Sequence, residues 1–241
     1  MPEADESLYP ARLMTDLDNA KRAAARAALA ELPERGTIGL GTGSTARFFI
    51  EAVATAIREG RELRGVPTSE ASRVQAESLG IPLLDLEGPW DIDVTVDGAD
   101  EVDPTFQLIK GGGGAHLREK IVNFASRWNV IVVDEGKLSK RLGEKWPVPV
   151  EVVRFAHGQT AAKLASVGQP TLRFKEGVPF VTDSGHFIYD VACGLLTDAS
   201  ETERTMRAIP GVVATGLFIG RADVVIVAGA SGVRRLVKAP A

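Results

Sequence analysis

Residues 97–120, DGADEVDPTFQLIKGGGGAHLREK, combine an acidic turn, a lysine, four consecutive glycines and a glutamate in one short passage. Four glycines in a row cost backbone entropy, so we expect them to let main-chain N–H groups approach a ligand closely. Lys110 precedes the glycines and Glu119 follows them. This pattern favours removal of a proton beside a carbonyl by the carboxylate, with the cation near the oxyanion that forms.

The acidic turn can serve the same ligand. Asp97 ends an apolar segment, Gly98 allows a turn, and Asp100 follows three positions after Asp97. Two carboxylates at this spacing can face the hydroxyls of one sugar. The alternative is an acidic turn in which Asp100 or Glu101 caps a helix. We expect Glu101 and Asp103 to be solvated loop residues.

A third motif, GLGTGSTA at residues 39–46, follows an apolar segment and precedes a helical pattern. Gly41, Gly43 and Ala46 fit the GxGxxG/A spacing of a dinucleotide site, which is a weak signal by itself. The hydroxyl residues of the turn are Thr42, Ser44 and Thr45. Hydroxyls beside a helix N-terminus suit a terminal phosphate. We therefore favour a phosphate monoester, with a dinucleotide or a merely tight turn as the alternatives.

Helices and strands must position these motifs, and the sequence pattern of the first 147 residues predicts which ones do so. Short apolar segments alternate with helical periodicity, which indicates a parallel sheet with helices on both faces. The predicted strands are 37–40, 63–67, 81–84, 94–96 and 130–133, after a first helix from Thr15 to about Leu32. Ligands of such sheets bind at the carboxyl ends of the strands, where the turns at 42–45 and 97–100 and Lys137 fall. The prediction is a Rossmann-like α/β domain.

From about Trp146 the pattern changes to strand, helix, strand, strand, helix, strand, the ferredoxin-like α+β order. The predicted elements are strand 151–155, helix 159–167, strands 171–174 and 186–193, helix 200–209 and strand 212–218. We assign residues 148–221 to a smaller lid domain and residues 1–147 and 222–241 to the catalytic α/β domain. A last strand at 224–227 and a short helix to about Val237 would rejoin the first sheet.

Composition restricts the class of protein. The 241 residues are 44% hydrophobic and carry a net charge of −4, which predicts a globular protein with a small-molecule ligand and neither nucleic acid nor membrane as partner. The first ten residues are polar and lack the apolar core of a signal peptide. One cysteine, Cys193, permits no internal disulfide, so we expect a cytoplasmic protein. The three histidines form no metal motif, and we expect no metal.

The motifs together resemble the type A ribose-5-phosphate isomerase family. GLGTGSTA, PTSEAS at 67–72, DGADE, IKGGGGAHLREK, VDEGK at 133–137, WPVPVEV and IPGVVATGLF at 209–218 follow the order of that family. The resemblance implies interconversion of D-ribose 5-phosphate and D-ribulose 5-phosphate in the pentose phosphate pathway, without metal or nucleotide cofactor. It also implies an α/β domain with a ferredoxin-like lid and a homodimer or larger homo-oligomer.

The resemblance also assigns roles to residues. Glu119 matches the catalytic base. The chemistry of the reaction adds that a carboxylate, Asp97 or Asp100, would assist ring opening and that Lys110 would stabilise the oxyanion. The implied substrate-binding residues are Thr42, Gly43, Ser44, Thr45, Asp97, Gly98, Ala99, Asp100, Lys110, Gly111, Gly112, Gly113 and Lys137. His116 departs from the family pattern, and we expect it to pack against the lid. A sugar-phosphate sensor is the alternative; it should carry a basic DNA-binding arm and could dispense with Glu119.

Overall fold

A computed structural model describes residues 11–230 and 232–238. Its helices are α1 (Ala11–Ala28), α2 (Ser44–Arg58), α3 (Glu70–Ser78), α4 (His116–Ala125), α5 (His157–Leu164) and α6 (Ala199–Arg207), with short 3-10 helices at Leu29–Glu31 and Glu135–Lys137. The strands are β1 (Arg35–Leu40), β2 (Glu62–Pro67), β3 (Ile92–Asp97), β4 (Glu101–Val102), β5 (Leu108–Ile109), β6 (Ser126–Asp134), β7 (Val148–Val152), β8 (Gln169–Leu172), β9 (Phe174–Lys175), β10 (Val178–Pro179), β11 (Phe187–Ala192), β12 (Val212–Thr215), β13 (Leu217–Phe218), β14 (Val224–Gly229) and β15 (Gly232–Val237).

The main sheet has six strands in the order β15-β14-β6-β3-β1-β2. All its pairs are parallel except β14 with β15. Side chains of β6 alternate between two cores: Val130 and Val132 pack in one hydrophobic cluster, and Ile131 and Val133 in another. A strand alternates in this way because its side-chain period is two residues. The predicted α/β fold with a parallel sheet buried on both faces is therefore confirmed.

Three details of the prediction are wrong. Residues 81–84 form no strand, since a single parallel bridge joins Leu83 to Gly65 and Pro82 has no N–H to donate. The predicted helix up to Val237 is the antiparallel edge strand β15, which pairs with β14 along its whole length. The first helix already includes Ala11, the first described residue, instead of beginning near Thr15. No described helix combines the length and the apolar character needed to cross a bilayer.

The second sheet has the order β12-β7-β11-β8, and each neighbouring pair is antiparallel. Helices α5 and α6 connect its strands in the predicted strand-helix-strand-strand-helix-strand order. The predicted strand 212–218 is divided at Gly216, because β13 leaves this sheet and pairs with β5 in a three-stranded sheet with β4. The limits of the two domains and the closure of the second one over the first remain predictions.

The strand order defines one crevice. From β1 the chain passes to β2 on one side of the sheet, and β3 then pairs with β1 on the other side. Open α/β sheets bind ligands at such a reversal, beyond the carboxyl ends of the two strands that diverge. The residues that follow β1 and β3 are Thr42 and Gly98 with their neighbours, so the two predicted turns meet at this reversal.

Candidate active site

A buried lysine lies between two buried carboxylates in the crevice. Lys110 Nζ is 2.9 Å from Asp97 Oδ2 and 3.1 Å from Glu119 Oε2. It also donates a hydrogen bond of 2.6 Å to the Gly98 carbonyl. Lys110, Asp97 and Glu119 are 3%, 3% and 4% exposed. The three hydrogens of the ammonium group thus have three protein oxygens around them, as a buried charge requires.

The pKa values of this group favour proton transfer. Burial lowers the pKa of Lys110, but attraction by Asp97 and Glu119 outweighs burial and holds that pKa above its ordinary value. Burial raises the pKa of Glu119; Lys110 opposes the increase and Asp97 adds to it. A glutamate with a raised pKa is a stronger base than an exposed one. Lys110 stays charged while Glu119 can exchange a proton.

The glycine run connects the lysine to the helix that carries the glutamate. Lys110 follows β5, where its N–H donates to the Gly216 carbonyl at 2.8 Å, and Glu119 lies in the first turn of α4. Gly111 has a φ of +105°, and a Cβ there would lie 2.7 Å from His116 Nδ1. Only glycine fits this position, since both the backbone conformation and the neighbouring ring exclude a side chain.

Asp97 ties the turn after β1 to the lysine. Its Oδ1 accepts hydrogen bonds from the N–H groups of Thr42 at 2.9 Å and Gly98 at 2.7 Å. A Cβ on Gly41 would lie 2.3 Å from this same oxygen, so the close approach depends on glycine. Because its other oxygen contacts Lys110, the Asp97 carboxylate is fully engaged with protein groups.

Asp100 is more accessible than Asp97. It is partly exposed and accepts the Gly112 N–H at 2.7 Å. Burial raises the pKa of Asp100, and the Gly112 bond and the charge of Lys137 act against that increase. Lys137 belongs to the 3-10 helix after β6, and its ammonium lies 5.1 Å from the centre of the Trp146 ring. Lys137 therefore lies near enough to Asp100 for its charge to act on that carboxylate.

The turn after β1 presents a helix N-terminus. Gly43 is the N-cap of α2 with a φ of 102°, and no side chain caps this end of the helix. Gly43 and Ser44 are exposed, whereas Thr45 is 9% exposed. Backbone N–H groups in the first turn of a helix lack intrahelical partners and suit an anion.

Sequence reasoning missed the hydroxyl cluster that holds this turn. Thr42 Oγ1 lies 2.7 Å from Thr68 Oγ1 and donates to Ser69 Oγ at 2.8 Å. Ser72 Oγ donates to the Gly41 carbonyl at 2.6 Å. The available signal was the PTSEAS segment, whose hydroxyls begin directly after β2, the strand beside β1. The Thr42 hydroxyl is thus occupied by protein partners and stabilises the turn.

His116 lies in the contact between α4 and the second sheet. Its side chain is fully buried, and Nε2 is 3.9 Å from Glu151 Oε2 of β7. Burial, with a further contribution from the charge of Arg173, lowers the pKa of His116 to about 3, so the ring is neutral. Neither ring nitrogen has a hydrogen-bond partner among the described residues. This environment is that of a packing residue, as the sequence predicts.

Glu101 contradicts the expectation of a solvated loop residue. It is fully buried in β4 and accepts the backbone N–H groups of Gly143, Glu144, Lys145 and Trp146 at 3.1 to 3.3 Å. The carboxylate therefore orders the segment that leads into the second sheet. Asp103 does lie in a loop, which it stabilises by accepting the N–H groups of Thr105 and Gln107.

Cys193 is a free, partly buried cysteine. Burial raises the pKa of Cys193 to about 11, so its thiol is a poor nucleophile at neutral pH. No three histidine, cysteine, aspartate or glutamate side chains of residues 11–230 and 232–238 are grouped so that they could hold a metal ion.

The fold and the buried carboxylate-lysine-carboxylate group define a class of α/β protein equipped to move protons on a small anionic ligand. A family model described as ribose 5-phosphate isomerase A (phosphoriboisomerase A) matches residues 64–232. A ribose-5-phosphate isomerase A of Nitrobacter hamburgensis is 47% identical over 226 residues, which cover 90% of this chain and 97% of that protein.

Solved structures agree with this match. A ribose 5-phosphate isomerase A from Methanocaldococcus jannaschii has a TM-score of 0.87 and 40% identity, and the match covers 92% of this chain and 99% of that one. A D-ribose-5-phosphate isomerase in complex with phospho-erythronic acid has a TM-score of 0.88 and 38% identity over the same shares of the two chains. The chain belongs to the ribose 5-phosphate isomerase A family.

Proposed function

We propose that the protein interconverts D-ribose 5-phosphate and D-ribulose 5-phosphate in the non-oxidative pentose phosphate pathway. The observation that carries this proposal is the position of Lys110 between Asp97 and Glu119, beside the open N-terminus of α2. One end of the crevice thus suits a phosphate and the other suits proton transfer. The names of the relatives support the same reaction, and the sensor alternative leaves this buried group unexplained.

Glu119 is the proposed base. In the open-chain aldose its carboxylate would take the proton from C2, which leaves a cis-enediolate, and would return that proton to C1. One carboxylate is enough because both carbons lie on one face of the enediolate. The proton of the C2 hydroxyl passes to the C1 oxygen, so atoms and charge balance without hydride transfer.

The developing negative charge on the C1 oxygen needs donors. Lys110 already has three oxygen neighbours, so it would bind the oxyanion by exchanging one of them. Gly113 is exposed, and its N–H donates to no acceptor among the described residues. A backbone N–H of this kind beside a lysine is a suitable oxyanion site. We therefore assign the oxyanion to Lys110 together with the glycine run.

Ring opening requires a proton transfer from the C1 hydroxyl to the ring oxygen. Both aspartates of the acidic turn were candidates, and the geometry favours Asp100. Asp97 is buried with both oxygens engaged, whereas Asp100 is partly exposed and has a raised pKa. A carboxyl group that can reach the ligand and holds a proton more readily than an exposed aspartate suits this step better.

The remaining proposals concern the cellular compartment and the oligomeric state. We propose a cytoplasmic enzyme, which the single cysteine supports because a reducing compartment suits it.

We also propose a homodimer or larger homo-oligomer. Phe155, Phe174 and Phe124 are 88%, 56% and 60% exposed, and large exposed apolar side chains are common at protein interfaces.

A coupled assay for ribulose 5-phosphate, run with and without EDTA, tests the proposal. We expect turnover from ribose 5-phosphate at an unchanged rate after dialysis against chelator, without added nucleotide. The reason is that Glu119, Lys110 and Asp100 supply the acid, base and cation that the reaction needs. If the dialysed enzyme recovered only after a divalent ion was added, the mechanism without metal would be wrong.

Thr45→Val tests the proposed phosphate end of the crevice. We expect KM for ribose 5-phosphate to rise by more than kcat falls, because a phosphate contact is similar in the ground and transition states. Steady-state kinetics measures both constants. Thr55→Val removes an exposed hydroxyl from the same helix and should leave both unchanged. An unaltered KM in folded Thr45→Val would contradict the assignment of this turn.

A further inference from the structure

An arginine that directly follows β8 of the second sheet donates hydrogen bonds to the glycine run, residues 111–114. Arg173 lies between β8 and β9, and its Nη1 donates to the carbonyls of Gly111 at 2.7 Å and Gly112 at 3.1 Å. Its Nε donates to Asp190 Oδ2 at 2.9 Å, and its Nη2 donates to Asp190 Oδ1. The two charged side chains are 14% and 13% exposed, so the pair is largely shielded from water.

The position of the guanidinium is fixed by the sheet. Asp190 of β11 pairs with Thr171 of β8, two residues before Arg173. A bidentate contact with a carboxylate fixes the plane of a guanidinium as well as its position. The Nη1 hydrogens therefore point at the glycine carbonyls in one defined geometry.

The two carbonyls set the direction of two N–H groups. In a trans peptide the C=O and the N–H of one plane point to opposite sides. The plane that carries the Gly111 carbonyl also carries the Gly112 N–H, which donates to Asp100 at 2.7 Å. The plane that carries the Gly112 carbonyl carries the Gly113 N–H, which therefore points away from Arg173. A Cβ on Gly113 would lie 3.7 Å from Thr42 Cγ2, on the crevice side.

We propose that the Arg173–Asp190 ion pair positions the glycine run for catalysis. It holds the peptide planes so that Asp100 is oriented by Gly112 and the free N–H of Gly113 faces the substrate. Inside the run, the Gly114 N–H donates to the Gly111 carbonyl at 3.0 Å. The peptide planes of Gly111 and Gly112 are held from outside the run by Arg173 and Asp100. Arg173 acts through the loop and is a positioning residue. The inference rests on the proposed isomerase function.

A purely structural role for the pair makes a different prediction. If the pair only joined the second sheet to the first, its loss would lower stability and leave the kinetics of the folded molecules unchanged. If it positions the loop, kcat should fall in molecules that remain folded, while KM, which reflects the phosphate end, should change little.

Arg173→Lys is the main variant, because lysine keeps the charge but cannot bind Asp190 and two carbonyls in one plane. Asp190→Asn is the second variant; it keeps the shape and removes the charge that orients the guanidinium. Arg154→Ala is the matched control. It removes an exposed arginine whose guanidinium carbon lies 5.1 Å from the centre of the Phe187 ring in the second sheet. This arginine lies away from the glycine run.

We expect kcat to fall about 10- to 100-fold in Arg173→Lys and Asp190→Asn, the scale of a small displacement of catalytic groups. KM should change by less than about threefold, and Arg154→Ala should match the wild type. Amide hydrogen exchange of residues 111–114, followed by mass spectrometry, should be faster in the two variants. The affinity for phospho-erythronic acid, measured by calorimetry, should also fall, because its carboxylate carries negative charge at the end opposite to the phosphate.

The inference is wrong if folded Arg173→Lys and Asp190→Asn keep wild-type kcat, or if their loss of activity only follows their loss of folded protein in thermal unfolding. Failure of the proposed function has another signature, since the wild type itself would then produce no ribulose 5-phosphate. In that case hydrogen exchange at residues 111–114 would still report whether Arg173 holds the loop.

Discussion

Glu119→Gln should lower kcat by about 10²- to 10⁴-fold, the range that general-base catalysis contributes. The amide keeps the size and the hydrogen-bonding capacity of the side chain but cannot accept the C2 proton. KM should change little, because the phosphate end of the crevice is untouched. The measurement is turnover together with exchange of the C2 hydrogen into deuterated water, followed by NMR. Glu59→Gln, an exposed change of the same kind, is the control.

The pH profile gives a second measurement on the same residue. The base must be deprotonated, and burial raises the pKa of Glu119 above the ordinary 4.5. Wild-type kcat/KM should therefore fall as the pH drops through this raised pKa, at a higher pH than for an exposed glutamate. The residual activity of Glu119→Gln should lack that decrease. If Glu119→Gln exchanged the C2 hydrogen and isomerised the substrate at near wild-type rates, the proton transfer would have to be assigned to Asp100 or Asp97.

Lys110→Ala should lower kcat by about 10²- to 10³-fold, the scale of losing one oxyanion donor. It should also lower the free energy of unfolding by about 3–5 kcal/mol, because removal of one partner leaves buried charge uncompensated. The pKa of Glu119 should rise further without the adjacent cation, so the acidic decrease in kcat/KM should move to higher pH. Steady-state kinetics and denaturant unfolding measure these effects.

Two variants complete the test of Lys110. Lys163→Ala removes an exposed lysine and should be neutral in both measurements. Lys110→Gln can still donate to the Gly98 carbonyl, so it supplies a folded protein without the charge if Lys110→Ala does not fold. Near wild-type turnover in folded Lys110→Gln would mean that backbone N–H groups carry the oxyanion alone.

The sequence predicted the site residues best where they follow a strand. Thr42, Asp97 and Lys137 were located because the carboxyl ends of parallel strands meet at one edge, and this depends only on the order of apolar segments. Lys110 and Glu119 were located because four consecutive glycines cost backbone entropy and therefore indicated a ligand-binding loop between them. Local pattern was sufficient for these residues, and their meeting in space followed from the fold class.

The rest depends on contacts between residues far apart in the chain. Arg173 lies about sixty residues from the glycines that it binds, and no local pattern indicates that an arginine points at backbone carbonyls. Glu101 looked like one more acid of a solvated turn, although four N–H groups of the segment 143–146 surround it. The edge strand β15 has the sequence GVRRLV, in which two arginines interrupt the β-branched valines and weaken the strand signal. This segment is a strand because it pairs with β14.

The order of the strands has a consequence for synthesis on the ribosome. β14 pairs with β6, yet the whole second sheet lies between them in the chain. While β14 is still inside the ribosome, β6 has an open edge, and the apolar side chains that β14 contributes to both cores of the main sheet are missing. Pairing across so long a separation is slow to form. The second sheet can fold before the first is complete, and the crevice acquires its final shape only when β14 emerges.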